Sequence, residues 1–285
     1  PICEDDVPNS EIPYKYIGLI YAQYDDEGKR NRYAKYNQLH GLFFDNYYPI
    51  IKSSIKKELW NRSIDILQSD STFKELNIKE WSEKNDNKYK EICDKLPMKK
   101  DENKIQYKNR LESEYFRTMV SERFAVLSSG HKNILLTLVS LVNFVEEKTI
   151  VILDEPEEHL HPPLVAAFIR ALSELLTYRN GVAIIATHSP VIVQEVPRKC
   201  VWKIRRNGKY RIFDRPEIET YGENLGEITT EIFGYDVQKS GFHSMLRDAS
   251  ENKNSYDEAL SLFNGELGNE AKSILRAYMF DKENV

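Results

Sequence analysis

Apolar and polar positions divide the chain into stretches of different period. Near the start, Tyr14-Lys15-Tyr16-Ile17-Gly18-Leu19-Ile20-Tyr21 reads as a strand. From about 33 to 124 the spacing becomes helical and the composition polar, with Leu59, Ile66, Leu76, Ile92 and Leu111 separated by runs such as Lys84-Asn85-Asp86-Asn87-Lys88. That pattern predicts an inserted helical arm or lid rather than a core. Residues 133–145 read as an apolar helix, 149–153 as a buried strand, 163–178 as an amphipathic helix with Pro near its start, and 182–187 as a second buried strand. Strand, helix, strand at that spacing implies a parallel sheet whose working loops lie beyond the strand C-termini. Asn207-Gly208 between two alternating runs predicts a hairpin, with both residues at turn positions of positive φ. The rest, 214–285, reads as helical and acidic.

Composition narrows the class. With 285 residues, 41% hydrophobic and 30% charged, the chain can bury a core and present a charged surface. A formal net charge of -5 argues against a uniformly basic nucleic-acid binder. Cys3, Cys93 and Cys200 lie far apart without metal-ligand spacing, so neither a disulfide framework nor a zinc ribbon is expected, and a reducing cytoplasm fits. The most apolar run, 134–145, is interrupted by Thr137, Ser140 and Asn143 and is too short to span a bilayer. The chain opens at Pro1 and enters the first strand almost at once, from which we expect sequence upstream.

Three short stretches carry candidate chemistry. Residues 149–153 deliver Asp154 and Glu155 to the carboxyl edge of a strand, ahead of Pro156-Glu157-Glu158-His159-Leu160-His161-Pro162. Paired carboxylates there are costly unless they meet a cation or a water: one can hold hydrated Mg²⁺, the other can deprotonate the attacking water. Helix-capping acids on a solvated turn are the plainer reading. Leu127-Ser128-Ser129-Gly130-His131 precedes the apolar helix and presents hydroxyls and N–H groups either to an anion or as an ordinary N-cap. Ala186-Thr187-His188-Ser189-Pro190 ends the second strand, where the imidazole is either structural or a donor to a phosphate oxygen.

In this order the three stretches form a pattern more specific than any one of them. Leu127 to His131 resembles the signature loop of ABC-type ATPases, 149–162 looks like their Walker B strand and D-loop, and 186–190 is similar to their switch-histidine loop. The His-Leu-His-Pro continuation resembles the SMC, break-repair and OLD-like branch. The resemblance implies an α/β fold with a mostly parallel sheet, ATP and Mg²⁺ as cofactors, and a head-to-tail homodimer around nucleotide. Carried over by position, Ser128, Ser129 and Gly130 would contact the γ-phosphate held by the opposite protomer. Asp154 would organise Mg²⁺, Glu155 would be the general base and His188 would sense the γ-phosphate. Glu157, Glu158 and His159 would form the D-loop. His131 departs from the usual Gln of the signature.

No Gly-x-x-x-x-Gly-Lys-Ser/Thr loop occurs: Gly28-Lys29 is succeeded by Arg30, and Gly208-Lys209 by Tyr210. The expected organisation is therefore the end of an N-terminal ATPase lobe at 1–32, a helical arm at 33–124, the motif-bearing core at 125–213 and a helical acidic segment at 214–285. The Walker A lobe is expected outside this chain. Gln23 stands either near the family's Q-loop or as a turn residue.

Gly222-Glu223-Asn224-Leu225-Gly226 and its surroundings resemble the segment behind the core in the ATPase subunit of Septu-type antiphage systems and their retron-linked relatives. That implies an HNH-type nuclease partner, with nucleic acid or a retron RNA–DNA as a further one, and no membrane. Residues 198–211 hold seven basic side chains and no acid, a patch for phosphates or charges split between two solvated strand faces. From 214 onward, fifteen acidic and seven basic residues leave -8, better suited to a basic protein partner; Ala259, Leu260 and Phe263 could dock it or pack inward. Three readings stand beside one another: an ATP-hydrolysing switch that controls a nuclease or works as a repair-like DNA-associated ATPase, a metal nuclease using Asp154, Glu155, His159 and His161, and a nucleotide-binding scaffold without turnover. Spacing of two between His159 and His161 disfavours the nuclease.

Overall fold

The computed structural model describes residues 20–24, 30–34, 39–83, 85–237 and 241–283. The chain divides into two compact units, 1–192 and 193–285. Most of the strand expected at 14–21 lies outside the described residues. β1 (Ile20–Tyr24) pairs antiparallel with β2 (Arg30–Ala34), with Gln23 opposite Asn31 inside the ladder rather than in a turn.

Helices dominate the first unit. α1 (Leu39–Lys52) buries Phe43, Tyr47 and Ile50 along one stripe, and α2 (Ser54–Leu67) buries Leu59, Trp60, Ile64 and Leu67. Ser53 caps α2 by accepting from the Lys56 N–H. A short α3 (Ser71–Lys74), a 3-10 turn at Ile78–Ser82 and α4 (Asp86–Lys95) come next. α5 (Lys104–Ala125) starts in a capping box between Asn103 and Gln106. α6 (Ser129–Phe144) then lies against α1, and α7 (Pro162–Tyr178) against α2.

The arm expected at 33–124 is thus no polar projection. Its aromatic residues share one hydrophobic cluster with α6 and α7. Phe43 stacks on Tyr47 at 5.3 Å and on Phe124 at 5.0 Å, and meets Trp60 and Trp81 edge-on at 6.3 and 6.0 Å. A polar bridge crosses the three helices: the Lys56 ammonium donates to the carbonyl and the side-chain oxygen of Asn143, each at 2.8 Å, and the Asn143 amide donates to Asn46 Oδ1 at 3.3 Å. Asn46 in turn donates to the Leu42 carbonyl.

β3 (Ile150–Asp154) and β4 (Val182–Ala186) form the expected parallel pair, Asp154 level with Ala186. Both strands were expected to be buried, and only one face is. Val151 is buried, and Leu153, Ala183 and Ile185 pack half-buried on the helices. Ile150, Ile152, Val182 and Ile184, which register side by side on the other face, are 59–74% exposed. A continuous apolar run is what a parallel strand carries when both faces are covered; among the described residues nothing covers this one. Gly181, between α7 and β4, sits where a Cβ would lie 2.9 Å from the Thr149 carbonyl, so the chain turns back tightly enough to keep that register.

In the second unit β5 (Lys203–Asn207) pairs antiparallel with β6 (Tyr210–Asp214). Asn207 opposes Tyr210, so the corner is Gly208-Lys209, one residue later than expected; Gly208, at φ 60, takes the left-handed first position of a II′-type turn. α8 (Pro190–Gln194) closes the first unit's chain into the second, where α9 (Leu225–Val237), α10 (Gly241–Asn252), α11 (Tyr256–Ser261) and α12 (Asn269–Glu283) complete the order. Ala259 is fully buried with Leu246, Leu275 and Met279, and Phe263 packs against them, so these side chains serve the unit's own core. The units separate at 192/193, upstream of the boundary read from composition at 213/214.

Candidate functional site

The parallel register decides what meets at the strand ends. Because Asp154 and Ala186 are level, the turn after β3 and the loop after β4 leave the sheet side by side, and the Glu155 N–H continues the ladder to the Ala186 carbonyl at 2.9 Å. Glu155 then takes a left-handed conformation, φ 48, which turns the chain back. Glu157 is held at its tip: the Thr187 hydroxyl donates to Oε1 at 2.5 Å and the His188 N–H to the same oxygen at 3.2 Å. The His188 ring, 71% exposed, places Nδ1 against Glu155 Oε2 and 3.8 Å from Glu157 Oε1.

Glu155, Glu157 and His188 therefore bring one ligand atom each within 4.8 Å of one another. Glu157 Oε2 is buried without a hydrogen-bond partner. Glu155 Oε2 has no aligned hydrogen bond either, though the imidazole lies in ion-pair contact with it. Carboxylate oxygens with open lone pairs fit a divalent cation, directly or through its water shell. Asp154 stands apart from this cluster. It is exposed, and strand alternation puts it on the bare face with Ile150 and Ile152.

The turn continues to a second cleft. His159, also left-handed at φ 65, ends it, and His161 occupies the cap of α7 ahead of Pro162. Ser128 caps α6 by accepting from the His131 N–H at 3.2 Å, Ser129 is exposed, and Gly130 is buried against the turn. A Cβ on Gly130 would lie 2.5 Å from the His159 carbonyl oxygen. Signature-like loop and D-loop-like turn thus touch backbone to backbone within one chain. A cleft of about 270 Å³ opens between them, lined by Thr72, Ser128, Gly130, His131, His159 and His161 together with Leu164. At its rim the first N–H groups of α6 can receive an anion.

Asp70, which nothing in the sequence pattern singled out, anchors the back of this cleft. Its carboxylate accepts from the Phe73 N–H and the Thr72 hydroxyl and pairs with His161 Nε2 at 2.7 Å. Burial works to raise its pKa, but the bonds from Thr72, Phe73 and His161 outweigh it and hold it at about 2. A capping Asp before Ser71-Thr72-Phe73 is readable locally; a partner 91 residues away is not. His131 meets Phe73 edge-on at 5.8 Å and approaches Thr72, and burial lowers its pKa, so it packs as a neutral ring. The nuclease ligand set is not assembled, since His159 and His161 line this cleft while Glu155 belongs to the other cluster.

Comparison with known proteins gives the class. Residues 26–194, more than half of the chain, match the family described as "AAA domain, putative AbiEii toxin, Type IV TA system". The chain belongs to this AAA-domain family. It is 37% identical over 283 residues to protein ea59 of Escherichia phage lambda, a match covering 99% of this chain and 51% of that protein. The chain thus spans about half the length of the relative it matches. Among the described residues, no helix is long and apolar enough to cross a membrane.

Proposed function

We propose that the chain forms the signature, Walker B and switch-histidine part of an ABC-type ATPase of the SMC and OLD-like branch, a switch subunit that hydrolyses ATP. The observation that carries this reading is the meeting of Glu155, Glu157 and His188 at the level ends of two parallel strands. Glu155 takes the proton of the attacking water, and His188, in contact with it, senses the terminal phosphate. Glu157, fixed by Thr187 and the His188 N–H, ties the two loops together. Mg²⁺, when bound, would supply charge neutralisation at the phosphates, and Asp154 is the residue that the family resemblance gives for holding it. Ser128, Ser129, Gly130 and His159 present the second cleft to nucleotide held by another copy, which makes a head-to-tail homodimer the working unit. The phosphate cradle and its Lys come from an upstream lobe seated on the bare face of β3 and β4.

On this reading the protein belongs to an antiphage complex of the Septu type, in which ATP turnover gates an HNH-type nuclease. The support for that step is the resemblance of 222–226 and the acidic balance after residue 214. Ala259 and Phe263 are committed to their own core, so docking falls to the exposed acids and not to these side chains. In full-length protein, Glu155→Gln is expected to keep Mg²⁺-ATP binding, read with a fluorescent analogue, and to stop hydrolysis. Full turnover would sink the base assignment; binding without turnover in the unmodified protein would favour a scaffold. Mixing Ser128→Arg with Glu155→Gln recovers part of the activity if the signature acts in trans, and none, with subunit exchange demonstrated, if each chain closes its own site.

A further inference from the structure

We propose that one face of the β5–β6 hairpin binds single-stranded nucleic acid. Directly opposed residues of an antiparallel pair share a face, and the register sorts the four basic residues of 198–211 that lie in the ladder into two sets. Lys203 and Arg205 fall on one face. Both are neutralised there, Lys203 by Glu231 at 2.5 Å and Arg205 by Asp214 at 2.9 Å. Arg206 and Arg211 fall on the other, directly opposite each other. Both are exposed, and among the described residues neither has a carboxylate within ion-pair reach. Arg206 spends only its Nε–H, on the Gly208 carbonyl at 3.0 Å, which leaves its terminal nitrogens free to donate.

The same face continues with aromatic surface. Ile204 and Phe213 form the adjacent rung, 66% and 57% exposed. One step beyond the ladder, Trp202 and Arg215 keep the alternation and meet ring to guanidinium at 3.7 Å, with Trp202 58% exposed. The strip therefore alternates stacking surface with guanidinium groups. Like charges facing each other across a hairpin destabilise it, and a phosphate between them reverses the sign, since guanidinium forks grip phosphate in two bonds. The uncovered Phe213 ring beside such a clamp, next to the Trp202 ring that Arg215 covers on one side, suits a base free to leave its stack, which a single strand offers and a duplex does not. An acidic protein surface would satisfy the arginines but leave the rings unused. This inference rests on the hairpin alone and does not depend on the nucleotide chemistry proposed above.

The test is fluorescence anisotropy of the full chain with a labelled single strand of about 16 nucleotides, as DNA and as RNA, across a salt series. A duplex of equal length and polyglutamate serve as competitors. Replacing both arginines, R206Q with R211Q, is expected to reduce the slope of log K against log salt by roughly 0.7, for the one shared phosphate no longer neutralised. Phe213→Ala is expected to weaken binding about tenfold with the slope unchanged. Arg205→Gln, on the opposite face, is expected to leave the slope as it was. Should Phe213→Ala unfold the hairpin by circular dichroism, Phe213→Leu keeps an apolar side chain without the ring and is expected to show the same loss. An unchanged slope in the double variant, unaltered affinity in both Phe213 variants, or tighter binding of duplex or polyglutamate than of the single strand would each overturn the proposal.

Discussion

Gly130→Ala tests whether the signature-like loop and the D-loop-like turn are locked together in one chain. The added Cβ would stand 2.5 Å from the His159 carbonyl oxygen and 3.3 Å from a Leu160 methyl. Ordinary carbon–oxygen contact needs about 3.3 Å, so the carbonyl must withdraw by roughly 0.8 Å. It cannot do so freely. His159 already holds φ 65, and the other end of the turn is pinned where Glu157 meets Thr187 and His188. Forced backbone shifts of this kind cost about 1–3 kcal/mol, while exchanging Gly for Ala in a helix returns about 0.5–1 kcal/mol. The net loss is about 0–2.5 kcal/mol, and its middle, about 1 kcal/mol, corresponds to roughly 2–4 °C in melting temperature for a domain of this size. Gly41→Ala is the matched control: the same change in α1, with nothing within 4 Å of the new methyl, is expected to stabilise. Calorimetry of both variants checks the sign. A Gly130→Ala protein that melts at or above the parent would refute the close contact.

Two other perturbations probe the same region. Asp70→Asn keeps the cap but loses the charged acceptor that faces His161 Nε2, and about 1–2 kcal/mol of stability near neutral pH is expected to go with it. Because the folded carboxyl is depressed from 3.8 to about 2, its contribution is whole above 3.8 and lost as pH falls toward 2. Urea melts of parent and variant should therefore converge at acid pH; a constant gap would contradict the account. Ile152→Lys, at a position 74% exposed, is expected to change the stability of residues 1–285 by no more than about 0.5 kcal/mol. In any longer polypeptide that seats a lobe on this face, it should cost several kcal/mol through a buried, unpaired ammonium. Equal melting shifts in both forms would mean the face stays bare.

Local signals were the legible ones. The strands around Ile152 and Ile184, the proline-started α7, the helix behind Ser128 and the hairpin at Gly208 arise from period, caps and turn residues. So does the gathering of Glu155 and His188, once two strands are read as parallel neighbours. Glu157's central place was less visible than Asp154's, because it depends on a turn whose left-handed residues, Glu155 and His159, are not glycines. The core within 33–124 reads as a polar arm for a different reason. Its burial rests on Phe43, Tyr47, Trp60, Trp81 and Tyr115, aromatic positions scattered among Lys, Glu and Asn, where attention to aliphatic spacing sees a polar arm. The bare sheet face could not be read from period, since an apolar run reports what a strand is suited to meet and not what stands against it.

The bridge of Lys56, Asn143 and Asn46 bears on how the signature-like loop can move. A purely apolar seam between α6 and its neighbours would let one helix slide past another by a turn at modest cost, since any methyl accepts another. Here a slide would strand an ammonium and two amides together in a half-buried seam. The helix that begins at Ser129 is therefore geared to α1 and α2. Sliding it past both neighbours requires breaking all three of those hydrogen bonds together, so the three helices are held in one register.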